Sequence, residues 1–471
     1  MSKTKELIKN TVILSIGRFC TQLISFILVP IYTHYLSTSD YGYVDLIQTY
    51  ISLIVPIVIL RLDAGVFRFL IECRKDKNEQ KKIISNIAIV CTFLLLISSS
   101  AFILLSFFLS IEMAIYIFFN AISIAISNLL LQTARGLGEN RKYSIASLIA
   151  GITTLLFSVT TICVFHFGGS GILLSASIGN ILCALYLLVT LRINKKVDLR
   201  QLNRVEVRNL LRYSIPMIPD GLSWWVVGVS DRTIISAVLG TAANGIYAIS
   251  SKFSNVLFSI FQVFNMSWQE NASLHINDKD NNEYFTNILN TTHKLFFSIC
   301  YLLLGAMPFI FMIMVGDNYS EAYQYVPILL FANLLNTLAN TTGAVYIAKK
   351  KSSSAAKTTL AAAIINIIIN LLFVRTLGLY AAAISTLISY ALLALYRYYD
   401  VQKYVKMKID GKFFIVSTII FMASSIIYMR NNIILNIINL LVITIVCIFI
   451  NKQLIKKTAK RIIDKIAKRA L

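Results

Sequence analysis

Apolar residues in this sequence come in runs of about twenty, separated by short polar segments, and not in amphipathic stripes. The runs fall near 11–33, 44–66, 83–109, 113–133, 144–166, 172–191, 214–239, 246–268, 288–315, 326–347, 358–376, 380–396, 413–429 and 432–450. A helix rising about 1.5 Å per residue needs roughly 20 apolar residues to cross a bilayer core. The pattern therefore predicts an all-α membrane protein of about fourteen transmembrane helices. The period-two alternation of barrel strands is absent, so helices must satisfy the backbone hydrogen bonds within the bilayer.

The longest polar segment on the side assigned as inner is 192–213, after the sixth helix, and it reads as a hinge. An N-terminal lobe of helices 1–6 (1–191), a basic cytoplasmic connector (192–213) and a C-terminal lobe of helices 7–12 (214–398) follow. Two further helices (399–450) and a basic amphipathic cytoplasmic tail (451–471) complete the chain. An internal repeat supports the two six-helix, pseudo-symmetric lobes. At an offset of 203, Ile31, Leu36, Thr38 and Gly42 match Ile234, Leu239, Thr241 and Gly245. At 207, Gly171, Ala176, Ala184, Leu185 and Leu188 match Gly378, Ala383, Ala391, Leu392 and Leu395. An even number of helices per repeat relates the lobes by an axis along the membrane normal, an arrangement found in transporters.

A formal charge of +22 would suggest nucleic acid in a soluble protein. Its distribution excludes that partner. Of 44 Lys and Arg, 38 fall in segments on one side of the predicted membrane, and the opposite loops hold only Arg375 and Arg430. The positive-inside rule then places both termini in the cytoplasm. The first apolar run continues past Arg18 to Pro30 without a small-residue cleavage site, so it reads as a retained helix. In the tail, Leu454, Ile455, Ile462, Ile463 and Ile466 at helical spacing among cations suit an anionic inner membrane surface.

The remaining cations, Arg18, Arg61, Arg232 and Lys252, lie inside predicted helices, with the acids Asp63, Asp220 and Asp231. Each ionised side chain near the bilayer centre costs roughly 2.5–3.5 kcal/mol on insertion scales, so partners, water or function must compensate. Arg61 and Asp63 are two residues apart and would face different sides of a helix, as would Asp231 and Arg232. Under the repeat, Arg18 falls opposite Asp220, which allows an ion pair between lobes. Packing ion pairs or snorkelling would account for some of these charges. A water-filled cavity, cationic by four charges to three, would account for them together and attract an anionic substrate.

Other chemistry is poorly supported. The seven cysteines are scattered without a CxxC or Cys/His cluster, so no metal is expected. "ARGLGENRK" at 134–142 lacks the third glycine and the preceding strand of a cofactor loop, and no GxxxxGK[ST] is present. An enzyme is not expected: a membrane-embedded glycan polymerase or ligase would need a large outer loop, and the outer segments are about ten residues or shorter. No cofactor is implied beyond a proton or sodium gradient, which any of the three embedded aspartates could couple.

The segments "RFCTQLISFILVPIYTHYLSTSDYGYVDLIQTY" at 18–50, "ARGLGENRKY" after the fourth helix and "YSIPMIPDGLSWWVVGVSDRTIIS" at the seventh carry a resemblance. The chain resembles polysaccharide-type (Wzx-like) flippases of the multidrug/oligosaccharidyl-lipid/polysaccharide exporter superfamily. The resemblance implies a fourteen-helix, two-lobe exporter in the bacterial cytoplasmic membrane. It would carry undecaprenyl-pyrophosphate-linked oligosaccharide repeat units, destined for O-antigen or capsule, through a cationic cavity to which Arg18, Arg61, Arg232 and Lys252 correspond in type. Membrane lipids, and the polysaccharide polymerase machinery as a candidate, would be its other partners. The rival within the superfamily is a cation-coupled multidrug exporter, for which Asp63, Asp220 and Asp231 speak and the arginine excess speaks against.

Overall fold

The computed structural model describes residues 23–452 and Lys456, with the backbone alone at 109, 199, 219–228 and 352. Arg18 and the amphipathic tail therefore lie outside the described residues, as does the side chain of Asp220. The described chain is helical and contains no strand. Its helices are α1 (Val29–Tyr35), α2 (Thr38–Val58), α3 (Leu62–Glu72), α4 (Lys77–Leu109), α5 (Ala114–Gly136), α6 (Asn140–Ser158) and α7 (Gly169–Thr190). They continue as α8 (Arg204–Ser214), α9 (Ile218–Leu239), α10 (Thr241–His275), α11 (Asn281–Met314), α12 (Val326–Ala348), α13 (Ser352–Leu377), α14 (Leu379–Val401), α15 (Gly411–Met429) and α16 (Ile433–Ile450). Eleven helices among the described residues are long and apolar enough to cross a membrane.

The chain forms two compact units, residues 1–248 with 316–319, and residues 249–315 with 320–471. The segment 192–213 lies within the first. In that unit the most extensive packing joins α7 to α6 and to α5. In the second it joins α14 to α13 and to α12, the elements in the same order along the chain. Each pairing uses small residues and buried amides, which let helices approach where lipid offers no hydrophobic drive. In the first unit the Asn120 amide donates to the Leu173 carbonyl (3.2 Å) and the Ser177 hydroxyl (3.3 Å). In the second the Asn366 amide donates to Ser385 and Thr386 (3.3 and 3.2 Å).

The offset-203 repeat is visible as a reciprocal contact inside the first unit. A Cβ on Gly42 would overlap the Thr241 carbonyl oxygen, and a Cβ on Gly245 would overlap the Thr38 carbonyl oxygen. Adding 203 to Thr38 and Gly42 gives Thr241 and Gly245, so each glycine meets the other helix's matching threonine and the starts of α2 and α10 meet backbone to backbone across a local two-fold. Only glycine permits that approach. The Ser39 and Thr241 hydroxyls touch at 2.7 Å, and the Asn244 amide donates to the Gly42 carbonyl (2.8 Å).

In the second unit, Arg397, one of the cations counted on the inner side, is buried instead of solvated. It is 4% exposed at the end of α14. Its guanidinium donates to the Thr358 and Thr359 hydroxyls and to the Ala339 and Ala355 carbonyls, joining α12, α13 and α14 through neutral acceptors.

Candidate polar site around Arg232

Asp45 and Arg232 are the centre of a polar cluster in the first unit. Asp45 stands seven residues past the start of α2, and Arg232 seven residues before the end of α9. Asp45 therefore lies within one turn of Gly42, and Arg232 about two turns before the end of the helix that leads into α10. Arg232 Nε donates to Asp45 Oδ2 at 2.6 Å, with the two side chains only 19% and 17% exposed. Its neighbour Asp231 turns another way and accepts from the Tyr247 hydroxyl of α10 (3.0 Å). Asp231 and Arg232 thus face different partners, as consecutive helical residues must. Tyr50 adds a hydroxyl that donates to Thr233 (3.2 Å). Tyr41 packs edge-on against Tyr319, whose hydroxyl donates to the Ser37 carbonyl (2.8 Å).

A second charged pair lies at the other end of α2, about 24 Å from Asp45 at 1.5 Å per residue. The sequence reads 44–66 as one helix, with Arg61 and Asp63 on different faces. The helix is in fact broken. Leu60 and Arg61 adopt φ values of 48° and 54°, a region that costs a residue with a side chain of order 1–3 kcal/mol. The Arg61 N–H donates to the Pro56 carbonyl (2.8 Å), and α3 restarts at Leu62. The break brings Arg61 Nε to 4.0 Å from Asp63 Oδ1. Both atoms are buried without a hydrogen-bond partner among the described residues. Leaving a buried polar atom unsatisfied costs about 1–3 kcal/mol, so strain and under-bonded charge coincide at this position.

Of the other predicted site residues, Lys252 is half-buried on α10 and belongs to the second unit. Asp220 occupies the first turn of α9. Sequence reasoning missed Asp45, the carboxylate that meets Arg232. Its signal was present, an acid two residues into an apolar run, but α2 starts in the polar segment "STSD", where one more acid is unremarked.

The family model described as "Polysaccharide biosynthesis protein" matches residues 7–269, more than half of the chain and both the Asp45–Arg232 and the Arg61–Asp63 pairs. The chain belongs to this family. Among solved structures this polysaccharide biosynthesis protein is similar to an inward-facing multidrug resistance MATE family transporter of the MOP superfamily. That likeness has a TM-score of 0.65 at 14% identity, covering 87% of this chain and 98% of the other. It is similar also to a MATE protein solved in complex with MaD5, with a TM-score of 0.58 at 14% identity, covering 85% and 96%. A MOP superfamily transporter from Pyrococcus furiosus, described by the reverse polarity of its binding pocket, gives a TM-score of 0.54 at 15% identity, covering 83% and 94%. At such identities the likeness speaks for the fold alone, which is that of MOP superfamily membrane transporters. No curated protein sequence matches the chain.

Proposed function

We propose that this protein exports lipid-linked oligosaccharide repeat units, carried on undecaprenyl pyrophosphate, from the inner to the outer leaflet of the bacterial cytoplasmic membrane. The observation that carries the reading is the family match over residues 7–269. The cluster supports it: Arg232 is a fixed guanidinium inside a long apolar helix, and a planar donor fork suits a phosphate better than a cationic drug. In this reading fourteen helices form two lobes that rock to expose a cationic cavity to each side in turn. Arg18, Arg61, Arg232 and Lys252 face the substrate, and both termini are cytoplasmic. The reciprocal Gly42–Gly245 contact closes the outer side and must part for release.

The second reading, a cation-coupled multidrug exporter, is favoured by Asp231, 8% exposed and bonded to the Tyr247 hydroxyl. Deleting the gene separates the two. The proposed function predicts loss of a surface polysaccharide with unchanged sensitivity to cationic dyes. Intact polysaccharide with heightened dye sensitivity would establish the rival.

A further inference from the structure

The amphipathic helix α8 and the apolar helix α4 enclose a groove of about 990 Å³ within the first unit, at the upper end of the roughly 300–1,000 Å³ usual for ligand sites. Its walls are apolar, with Ile89 and Phe93 on α4 facing Val207 and Leu211 on α8. Along it run Arg204, Arg208 and Arg212, spaced i, i+4, i+8 and so on one face of α8 over about 12 Å. All three are exposed, and none forms an ion pair among the described residues. The one acid of α8, Glu206, is instead engaged by Lys82 at 3.2 Å.

The groove is built into the fold. Buried Ser85 and Asn86 of α4 pin the segment that leads into α8. Ser85 donates to the Lys196 carbonyl (3.1 Å) and accepts from the Asp198 N–H (2.9 Å). Asn86 donates to the Gln201 carbonyl (3.0 Å) and accepts from the Asn203 N–H (2.8 Å). Asn203 then caps α8 by accepting from the Val205 N–H (2.9 Å). The far end is seated by Leu210 and Ser214, both buried.

We infer that this groove docks an anionic lipid, its phosphate head on Arg204, Arg208 and Arg212 and its chain between α4 and α8. Three arginines without carboxylate partners beside an apolar channel complement a molecule that joins an anion to a hydrocarbon chain. Basic pockets beside membrane helices recognise lipid phosphates in this way. A head group with more negative charge engages more of the row, so a phosphomonoester should bind more tightly than a phosphodiester. The lipid carrier of the proposed substrate is one such molecule, but binding does not depend on that reading.

The test uses the purified full-length protein and measures retained lipid by native mass spectrometry. Phosphatidic acid, phosphatidylglycerol and phosphatidylcholine are supplied at equal mole fraction. Retention should fall in that order, and Arg204→Gln/Arg208→Gln/Arg212→Gln should reduce retention of phosphatidic acid roughly tenfold or more. These side chains are exposed, so the variant should remain monodisperse. Val207→Trp, which fills the groove, should weaken the long-chain lipid but not a short-chain phosphatidic acid. Equal retention by the wild type and the triple variant would overturn the inference. So would competition by inorganic pyrophosphate as effective as that by phosphatidic acid, because the chain would then contribute nothing.

Discussion

Arg232→Ala should lower export at least tenfold beyond any loss of protein. The substitution leaves Asp45 as an unpaired carboxylate at a site where its side chain is 17% exposed. Removing one partner of a buried ion pair typically costs about 3–5 kcal/mol, so membrane abundance should also fall. The double change Asp45→Ala/Arg232→Ala removes both charges and should restore abundance. It should not restore export, because an anion contact supplied by the guanidinium would still be missing. Arg232→Lys keeps the charge without the planar fork and should retain partial export. Immunoblotting of membranes and quantification of surface polysaccharide check all three variants together. Recovery of export by the double variant would reduce Arg232 to a packing residue.

The second large effect concerns the start of α2 against the start of α10. Ser39→Cys/Thr241→Cys should form a disulfide under oxidation, because the two native hydroxyl oxygens already lie 2.7 Å apart and bridged residues need Cα atoms within about 7 Å. If the Gly42–Gly245 contact must part for release, the oxidised double variant should export at background level. Reductant should restore it. Each single variant controls for the thiols themselves, and gel mobility or mass spectrometry reports the bridge. A bridged protein that exports at the wild-type rate would exclude this contact as a moving gate.

Much of the helical architecture was legible because a membrane helix announces itself by length and apolarity alone. The repeat was legible too, since Thr38 and Gly42 recur as Thr241 and Gly245 and do reciprocal work. What the sequence hid depended on the third dimension or on local backbone geometry. Nothing in "VILRLD" shows that Leu60 and Arg61 would take left-handed conformations and split the helix. Arg232 stood out as a charge in an apolar run, whereas its partner Asp45 gained meaning only from the packing of α2 against α9. Arg397 stood at the edge of an apolar run with nothing local to mark it as buried, because the carbonyls and hydroxyls that receive it come from two other helices. The spacing of Arg204, Arg208 and Arg212 was readable in the connector. The groove beside them was not.

The central claim is that the protein carries a lipid-linked oligosaccharide across a membrane. Purified protein reconstituted into vesicles with that lipid in the inner leaflet tests it, the arrival of the glycan outside being read by a membrane-impermeant glycosidase or lectin. The account predicts that the wild type accelerates the appearance of glycan and that Asp45→Ala/Arg232→Ala, equally well inserted, does not. Vesicles in which the wild type moves a cationic dye but leaves the oligosaccharide lipid where it began would contradict the account.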